Sequence, residues 1–191
     1  MRLQWKARRP WFPCAAMLAF AMLPALPAYA APDWWHQAGD RLEMITDRGA
    51  TDLYLSGYAY HGRSTYTPER LAELNEQAWG IGIGRRLRND SGNDEMVYAL
   101  GLSDSHRKPQ LTAGYGHEWI RQLGSGLEAG AGFSAMLMSR ADYFHGIPFP
   151  VVLPILSFGS RDIKLRASYV PRLSHNKGNG DVLLLFFSLS L

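Results

Sequence analysis

From about residue 51 to the C-terminus, apolar and polar positions alternate with a period of two, which is the signature of strands with one apolar face. In one segment Leu127, Ala129, Ala131, Phe133, Ala135 and Leu137 share a face. In another, Ile163, Leu165, Ala167 and Tyr169 oppose Lys164, Arg166 and Ser168. At the end of the chain Leu183, Leu185, Phe187, Leu189 and Leu191 form a stripe opposite Ser188 and Ser190. The pattern predicts eight strands, over 51–61, 78–88, 94–103, 111–121, 125–139, 150–159, 162–170 and 181–191. Their lengths are close to the ~9–11 residues of a tilted strand that crosses a bilayer.

The links between these segments alternate in length. Asn89 to Asn93, Gln122 to Gly124 and Gly159 to Arg161 are tight, whereas 62–76, 104–110, 140–149 and 171–180 are long. Short turns at one end and long loops at the other are the outer-membrane arrangement. A chain that finishes on its last strand favours closure over an open edge. The expected fold class is therefore all-β, an eight-stranded antiparallel up-and-down transmembrane β-barrel. A lipocalin-like soluble barrel has the same strand number and is the competing architecture. Ahead of the strands, Trp34, Trp35, Ala38, Leu42 and Ile45 recur at helical spacing with Asp40, Arg41, Glu43 and Asp47 opposite. This predicts a short N-terminal amphipathic helix, either lying in the membrane interface or packed on the barrel.

The first 30 residues change the composition argument. Arg2, Lys6, Arg8 and Arg9 precede an apolar run from Cys14 to Leu26, and Ala28-Tyr29-Ala30 offers a small-x-small cleavage site. Pro24, Pro27 and the short apolar run argue against the alternative, an uncleaved anchor helix, so the segment is predicted to be a secretory signal peptide. Its removal takes four of the 20 basic residues and none of the 17 acidic ones, so a formal charge of +3 becomes −1, from 16 basic against 17 acidic groups. Nothing then points to nucleic acid. The single cysteine, Cys14, leaves with the leader, so the secreted chain has no disulfide. The expected organisation is a signal peptide over 1–30, a periplasmic amphipathic helix over 31–50 and an outer-membrane barrel over 51–191.

Glycine and proline are placed unusually. Gly80, Gly82 and Gly84 alternate in the second strand, Gly114 and Gly116 in the fourth, and Gly126, Gly130 and Gly132 in the fifth, opposite the apolar stripe. Glycine weakens strands, so a column of it serves either interior space for a slender apolar ligand or the curvature of a small barrel. Pro148, Pro150, Pro154 and Pro171 lie in or beside the sixth and seventh strands. Each lacks a ladder donor, which predicts a weakly bonded seam through which a lipid could slide, or a stiffened loop.

Candidate chemistry falls at one rim. His61 closes the first strand and Asp104-Ser105 close the third, and in an up-and-down barrel those ends coincide. A base, a carboxylate and a hydroxyl suit acyl transfer. His61 would act as general base, Asp104 would orient or stabilise its ring, and Ser105 would serve as nucleophile or hydrogen-bond donor. His36, His106, His117, His145 and His175 show no ligand spacing with carboxylates or thiols, so neither a metal nor a cofactor is expected.

Several further motifs accompany these residues. They are Tyr66, Asn75-Glu76, Trp79-Gly80, Tyr98-Ala99, Ala113-Gly114-Tyr115-Gly116, Ile147-Pro148-x-Pro150-Val151-x-Leu153-Pro154, Tyr169-x-Pro171 and Gly178-Asn179. Together with His61 and Asp104-Ser105, they resemble the lipid A palmitoyltransferase family (PagP), from about residue 50 to the C-terminus. The resemblance implies an outer-membrane barrel that moves a palmitoyl chain from a phospholipid donor to a hydroxyl of the acceptor lipid A. It implies a catalytic set of His61, Asp104 and Ser105 at the extracellular face and a pocket-depth glycine at Gly116. It also implies a lateral gate flanked by Pro154 and Pro171. The chain departs from the family where Ser56 and Ala78 replace the prolines of a second gate. It departs again where Tyr60 and His106 stand in place of tryptophans, and where Leu191 ends the chain in place of an aromatic residue. The alternative function is a non-catalytic structural or adhesion barrel, which predicts a lumen filled by polar side chains. A monomer suits so small a closed barrel.

Overall fold

The computed structural model describes residues 33–141, 144–172 and 180–191; the expected leader, His175 and Gly178-Asn179 lie outside the described residues. Eight antiparallel strands, β1 (Ala50–His61), β2 (Gly80–Arg88), β3 (Asp94–Ser103), β4 (Pro109–Gly124), β5 (Leu127–Arg140), β6 (Phe149–Ser160), β7 (Ile163–Val170) and β8 (Val182–Ser190), close into one barrel. Each pairs with its neighbour in sequence, and β8 returns to pair with β1. The strand limits lie within three residues of those expected from the alternation. Helix α1 (Trp34–Arg48) precedes the barrel, and a second short helix, α2 (Pro68–Glu73), stands in the β1–β2 connection, which the alternation had marked only as a long link. Thr67 caps α2 by accepting from the Arg70 amide, and Pro68 pre-sets its first turn.

The alternation has a definite sense. Ile81, Ile83, Leu111, Trp119, Leu156 and Phe187 point outward and are exposed, while Asp52, Arg86, Asp94, Glu118, Lys164 and Arg166 point inward and are buried. No helix among the described residues is long and apolar enough to cross a membrane. A belt of outward apolar strand positions over a polar interior is the lipid-facing arrangement and the reverse of a soluble lipid carrier. The lipocalin-like alternative fails on this point.

α1 packs against the outside of β2 and β3 near the short-turn end. Ile45 is its one fully buried residue, while Trp34 and Trp35 stack on each other and stay exposed. Glu95 faces outward from β3, where lipid would leave a carboxylate stranded; Arg41 of α1 covers it with two hydrogen bonds of 2.7 Å. Arg85 adds bonds to the carbonyls of Thr46 and Asp47 at the helix end. Arg41→Ala is expected to lower stability by on the order of 1–2 kcal/mol, since one partner of a half-buried ion pair is left behind. Urea unfolding in lipid vesicles would read the loss, and Glu95→Gln in the same chain should recover part of it.

Inside, the lumen has two unlike halves. Toward the short turns, Arg86, Arg88, Lys164 and Arg166 interlock with Asp52, Asp94, Glu118 and Glu128, four cations against four carboxylates, all buried or nearly so. Arg166 and Glu118 are fully buried and pair directly. Toward the long loops the wall turns apolar, with Tyr54, Leu100, Leu102, Ile155 and Phe186 forming a core cluster. A polar filling of the kind a structural barrel predicts thus occupies only one half.

The glycine columns prove to be mainly about curvature. A β-carbon at Gly82 would lie 2.4 Å from the Ala99 carbonyl oxygen, and one at Gly132 only 1.8 Å from that of His117. Neighbouring strands approach too closely there for any side chain. Gly116 differs, because a β-carbon there would meet the flexible side chain of Met96, at 3.0 Å from its Cγ.

Two seams interrupt the ladder toward the long loops. Pairing between β6 and β7 ends at Ile155–Ser168, immediately below Pro154, although both strands continue. Pairing between β1 and β2 ends at Ser56–Gly80, and beyond it the Ala59 amide donates to the Glu76 carbonyl instead, at 2.8 Å.

Candidate active site

The ends of β1 and β3 meet at the long-loop rim. On β1, Ala59 pairs with Leu184 of β8 and His61 with Val182, so His61 stands one inward step above the apolar lumen that Leu184 lines. On β3, Leu102 lines the same lumen and Asp104 is the next inward position. His61 is 1 % exposed, and its Nε2 lies 2.9 Å from the Ser105 hydroxyl. The ring of Tyr66 meets the imidazole edge-on at 5.5 Å between centroids, and the Tyr66 hydroxyl donates to the Gly180 carbonyl. Burial pushes the Tyr66 phenol upward, so it remains a donor.

Asp104 is buried at the same rim, yet among the described residues it makes no hydrogen bond or ion pair with His61. Its Oδ1 accepts from the amides of His106 and Lys108, both at 2.8 Å, and its Oδ2 faces the Arg140 guanidinium at 3.6 Å. Asp104 therefore shapes the tight turn that presents Ser105. The structure brings together His61 and Ser105, and sets Asp104 beneath the turn rather than beside the ring.

The carboxylate that does face His61 belongs to Glu76. Its Oε1 accepts from the His61 amide at 3.1 Å and lies 3.4 Å from His61 Nδ1. Arg63 grips the same carboxylate with both guanidinium nitrogens, at 2.7 and 2.8 Å, and the Tyr58 hydroxyl donates to it at 3.0 Å. The Arg63 bonds hold the Glu76 carboxyl well below the usual range, at about 2, so it is ionised at neutral pH. Next to it, the Asn75 amide donates to the Ser105 carbonyl at 2.8 Å. Asn75-Glu76 thus ties the Ser105 turn to the His61 strand end. The dipeptide was visible as a motif, but no spacing rule assigns it a partner on another strand.

Below the His61–Ser105 pair lies a narrow cavity of about 70 Å³, lined by Tyr54, Met96, Met136, Met138, Leu153 and Phe186 among others. Three of its lining side chains are methionines, whose flexible thioethers repack readily around a ligand. Met96 forms the floor, buried to 1 % exposure between Gly116, the Tyr54 hydroxyl and Arg166. Gly116 is therefore at the floor, behind Met96, while Pro154 borders the open β6–β7 seam and Pro171 follows the end of β7.

Comparison with known proteins agrees with this architecture. A family model described as antimicrobial peptide resistance and lipid A acylation protein PagP matches residues 41–188. A lipid A acyltransferase PagP of Bordetella pertussis strain Tohama I is 39 % identical over 174 residues, covering 88 % of this chain and 93 % of that protein. The protein of that name from Methylobacillus flagellatus is 38 % identical over 173 residues, covering 88 % and 92 %. One from Legionella longbeachae is 41 % identical over 145 residues, covering 75 % of this chain and 62 % of its own.

Proposed function

This chain belongs to the PagP family of outer-membrane lipid A acylation proteins, and from that premise we propose that it transfers a palmitoyl chain from a phospholipid to a hydroxyl of lipid A, with His61 as general base. The observation that carries the reading is the 2.9 Å contact between His61 Nε2 and Ser105 Oγ directly above an apolar lumen. A structural barrel would need the charged lower half of the lumen but neither this pair nor the lined cavity beneath it.

Two routes use the pair. In one, Ser105 Oγ attacks the donor ester carbonyl while its proton passes to His61 Nε2, and the lysophospholipid alkoxide leaves with that proton. The lipid A hydroxyl then attacks the acyl-serine, giving its proton to His61, which returns it to Ser105 as the new ester departs. In the other, His61 takes the proton of the lipid A hydroxyl as that oxygen attacks the donor ester directly, and then passes it to the leaving lysophospholipid. Ser105 here donates a hydrogen bond to the carbonyl oxygen as charge builds on it. Accumulation of an ester on Ser105 in single turnover would support the first route, and its absence would count against it.

Lipids reach such a site sideways, and the two ladder gaps supply the routes. The β6–β7 seam is flanked by Pro154 and Pro171, and beyond Ile155 the backbone ladder gives way to a bond from the Ser168 hydroxyl to the Pro154 carbonyl. At the β1–β2 seam the Ala59–Glu76 bond bridges the gap, and Ser56 and Ala78 keep amide donors that proline lacks. We place the long-loop rim at the cell exterior, where the outer leaflet holds lipid A. The short-turn end with α1 then faces the periplasm, and a self-closed ladder leaves the chain a monomer.

The test is lipid A mass spectrometry on cells that express the chain, with outer-membrane localisation confirmed. A gain of one palmitoyl group is expected, and fragmentation reports its position. A correctly folded barrel that leaves lipid A unchanged would overturn the reading.

A further inference from the structure

His61 can take a proton from a hydroxyl only if its Nε2 carries none, and in a neutral imidazole this requires the ring proton to sit on Nδ1. His61 Nδ1 is buried and has no hydrogen-bond partner within bonding distance, an uncommon condition for a buried ring nitrogen. The carboxylate at 3.4 Å is Glu76, at ion-pair range and a few tenths of an ångström beyond a hydrogen bond. Such bonds are often long in a site without substrate and tighten when it binds.

The surroundings fix this carboxylate rather than leaving it free to drift. Arg63 clamps both of its oxygens, Tyr58 adds a third donor, and the His61 amide itself bonds Oε1. That last bond matters geometrically, because it sets Oε1 against the backbone of the residue whose ring it faces. Tyr66 holds the imidazole from the side, so the ring has little freedom to turn its other nitrogen toward Glu76. Asp104 Oδ1 is taken up by two backbone amides, and its buried Oδ2, which accepts no hydrogen bond among the described residues, faces Arg140 at 3.6 Å; neither oxygen bonds His61.

We infer that Glu76 is the positioning residue of His61, keeping the proton of the neutral ring on Nδ1 so that Nε2 is free to accept another. It fills the role expected of Asp104, which instead positions Ser105. The loop carrying Asn75-Glu76 then aligns base and hydroxyl as one unit, with Asn75 bonded to the Ser105 carbonyl and Glu76 to the His61 amide. The inference rests on the acyl-transfer reading for its kinetic consequences but not for the state of the ring.

Nitrogen-15 histidine spectra of the detergent-folded protein read the tautomer directly. The wild type is expected to carry the His61 proton on Nδ1, Glu76→Ala to lose that preference, and Glu76→Asp to restore it. In transfer assays Glu76→Ala should lower kcat about tenfold or more with little change in KM, because it removes orientation of the base rather than lipid binding. Arg63→Gln breaks the same clamp without removing the carboxylate, so its loss should be several-fold smaller. A wild-type His61 protonated on Nε2, or a tautomer unchanged in Glu76→Ala, would overturn the inference. So would an Arg63→Gln variant matching Glu76→Ala in both readouts, since Glu76 would then be only a loop anchor. If the wild type transfers no acyl chain, the acyltransferase reading fails by itself, and the spectra still decide the role of Glu76.

Discussion

His61→Ala is expected to reduce acyl transfer by on the order of 10²–10⁴-fold while the barrel still inserts and folds. The catalytic loss follows from geometry. His61 Nε2 is the basic atom within bonding distance of the Ser105 hydroxyl, and without it the reacting proton has only bulk water to go to. Folding should survive because His61 is the last residue of β1, whose ladder to β8 continues from Asp52 upward without it. The ring fills space beneath Tyr66, so some loosening of the 62–66 turn is the structural cost. Ser105→Ala should fall in a similar range, and the double variant should be scarcely worse than either single one, since two groups acting as a unit do not add. Lipid A mass spectrometry together with heat-modifiable gel mobility separates lost chemistry from lost folding. A His61→Ala enzyme at the wild-type rate would remove His61 from the mechanism.

The second large effect concerns acyl length. A side chain placed at Gly116 must displace Met96, which already touches that position, and Met96 is the floor of the cavity. Gly116→Leu should therefore push the floor upward and shift selection toward shorter chains. Each methylene denied burial costs about 0.8 kcal/mol, roughly a fourfold loss of preference, so two methylenes exceed tenfold. Met96→Ala works in the opposite sense, deepening the cavity and admitting longer chains. It also loses about 2–5 kcal/mol of stability, as core truncations do. Competition among phospholipid donors of graded chain length, scored on the lipid A product, checks both directions. If neither variant changes the distribution, the acyl chain does not rest on this floor.

The strands were legible because each carries its own record. Alternation such as Leu127 to Leu137 states which residues face lipid, and the paired turns and loops state the order. The rim that unites His61 and Ser105 followed from counting strands. The partner of the histidine was not legible, because Glu76 comes from the β1–β2 loop and its approach depends on the Arg63 clamp. Asp104 sits next to Ser105 in sequence, yet a turn this tight directs its carboxylate back into its own amides. Helix α2 is announced by Thr67-Pro68-Glu69, but six residues without a buried face leave no periodic trace. The glycines hid a different distinction. Strand spacing at Gly82 and side-chain packing at Gly116 look alike as letters, and only cross-strand geometry separates them.

The interlocked charges under Met96 have a bearing on traffic. They make the lumen a blind cup, so whatever enters from the rim must back out the same way. An acyl chain seated there has no exit below, and only the head group at the rim needs to be exchanged for the reaction to proceed. Under the proposed transfer, the spent donor head group would leave sideways at the rim while the chain it delivered stays in the cup, and the finished product would have to withdraw that chain through the same rim.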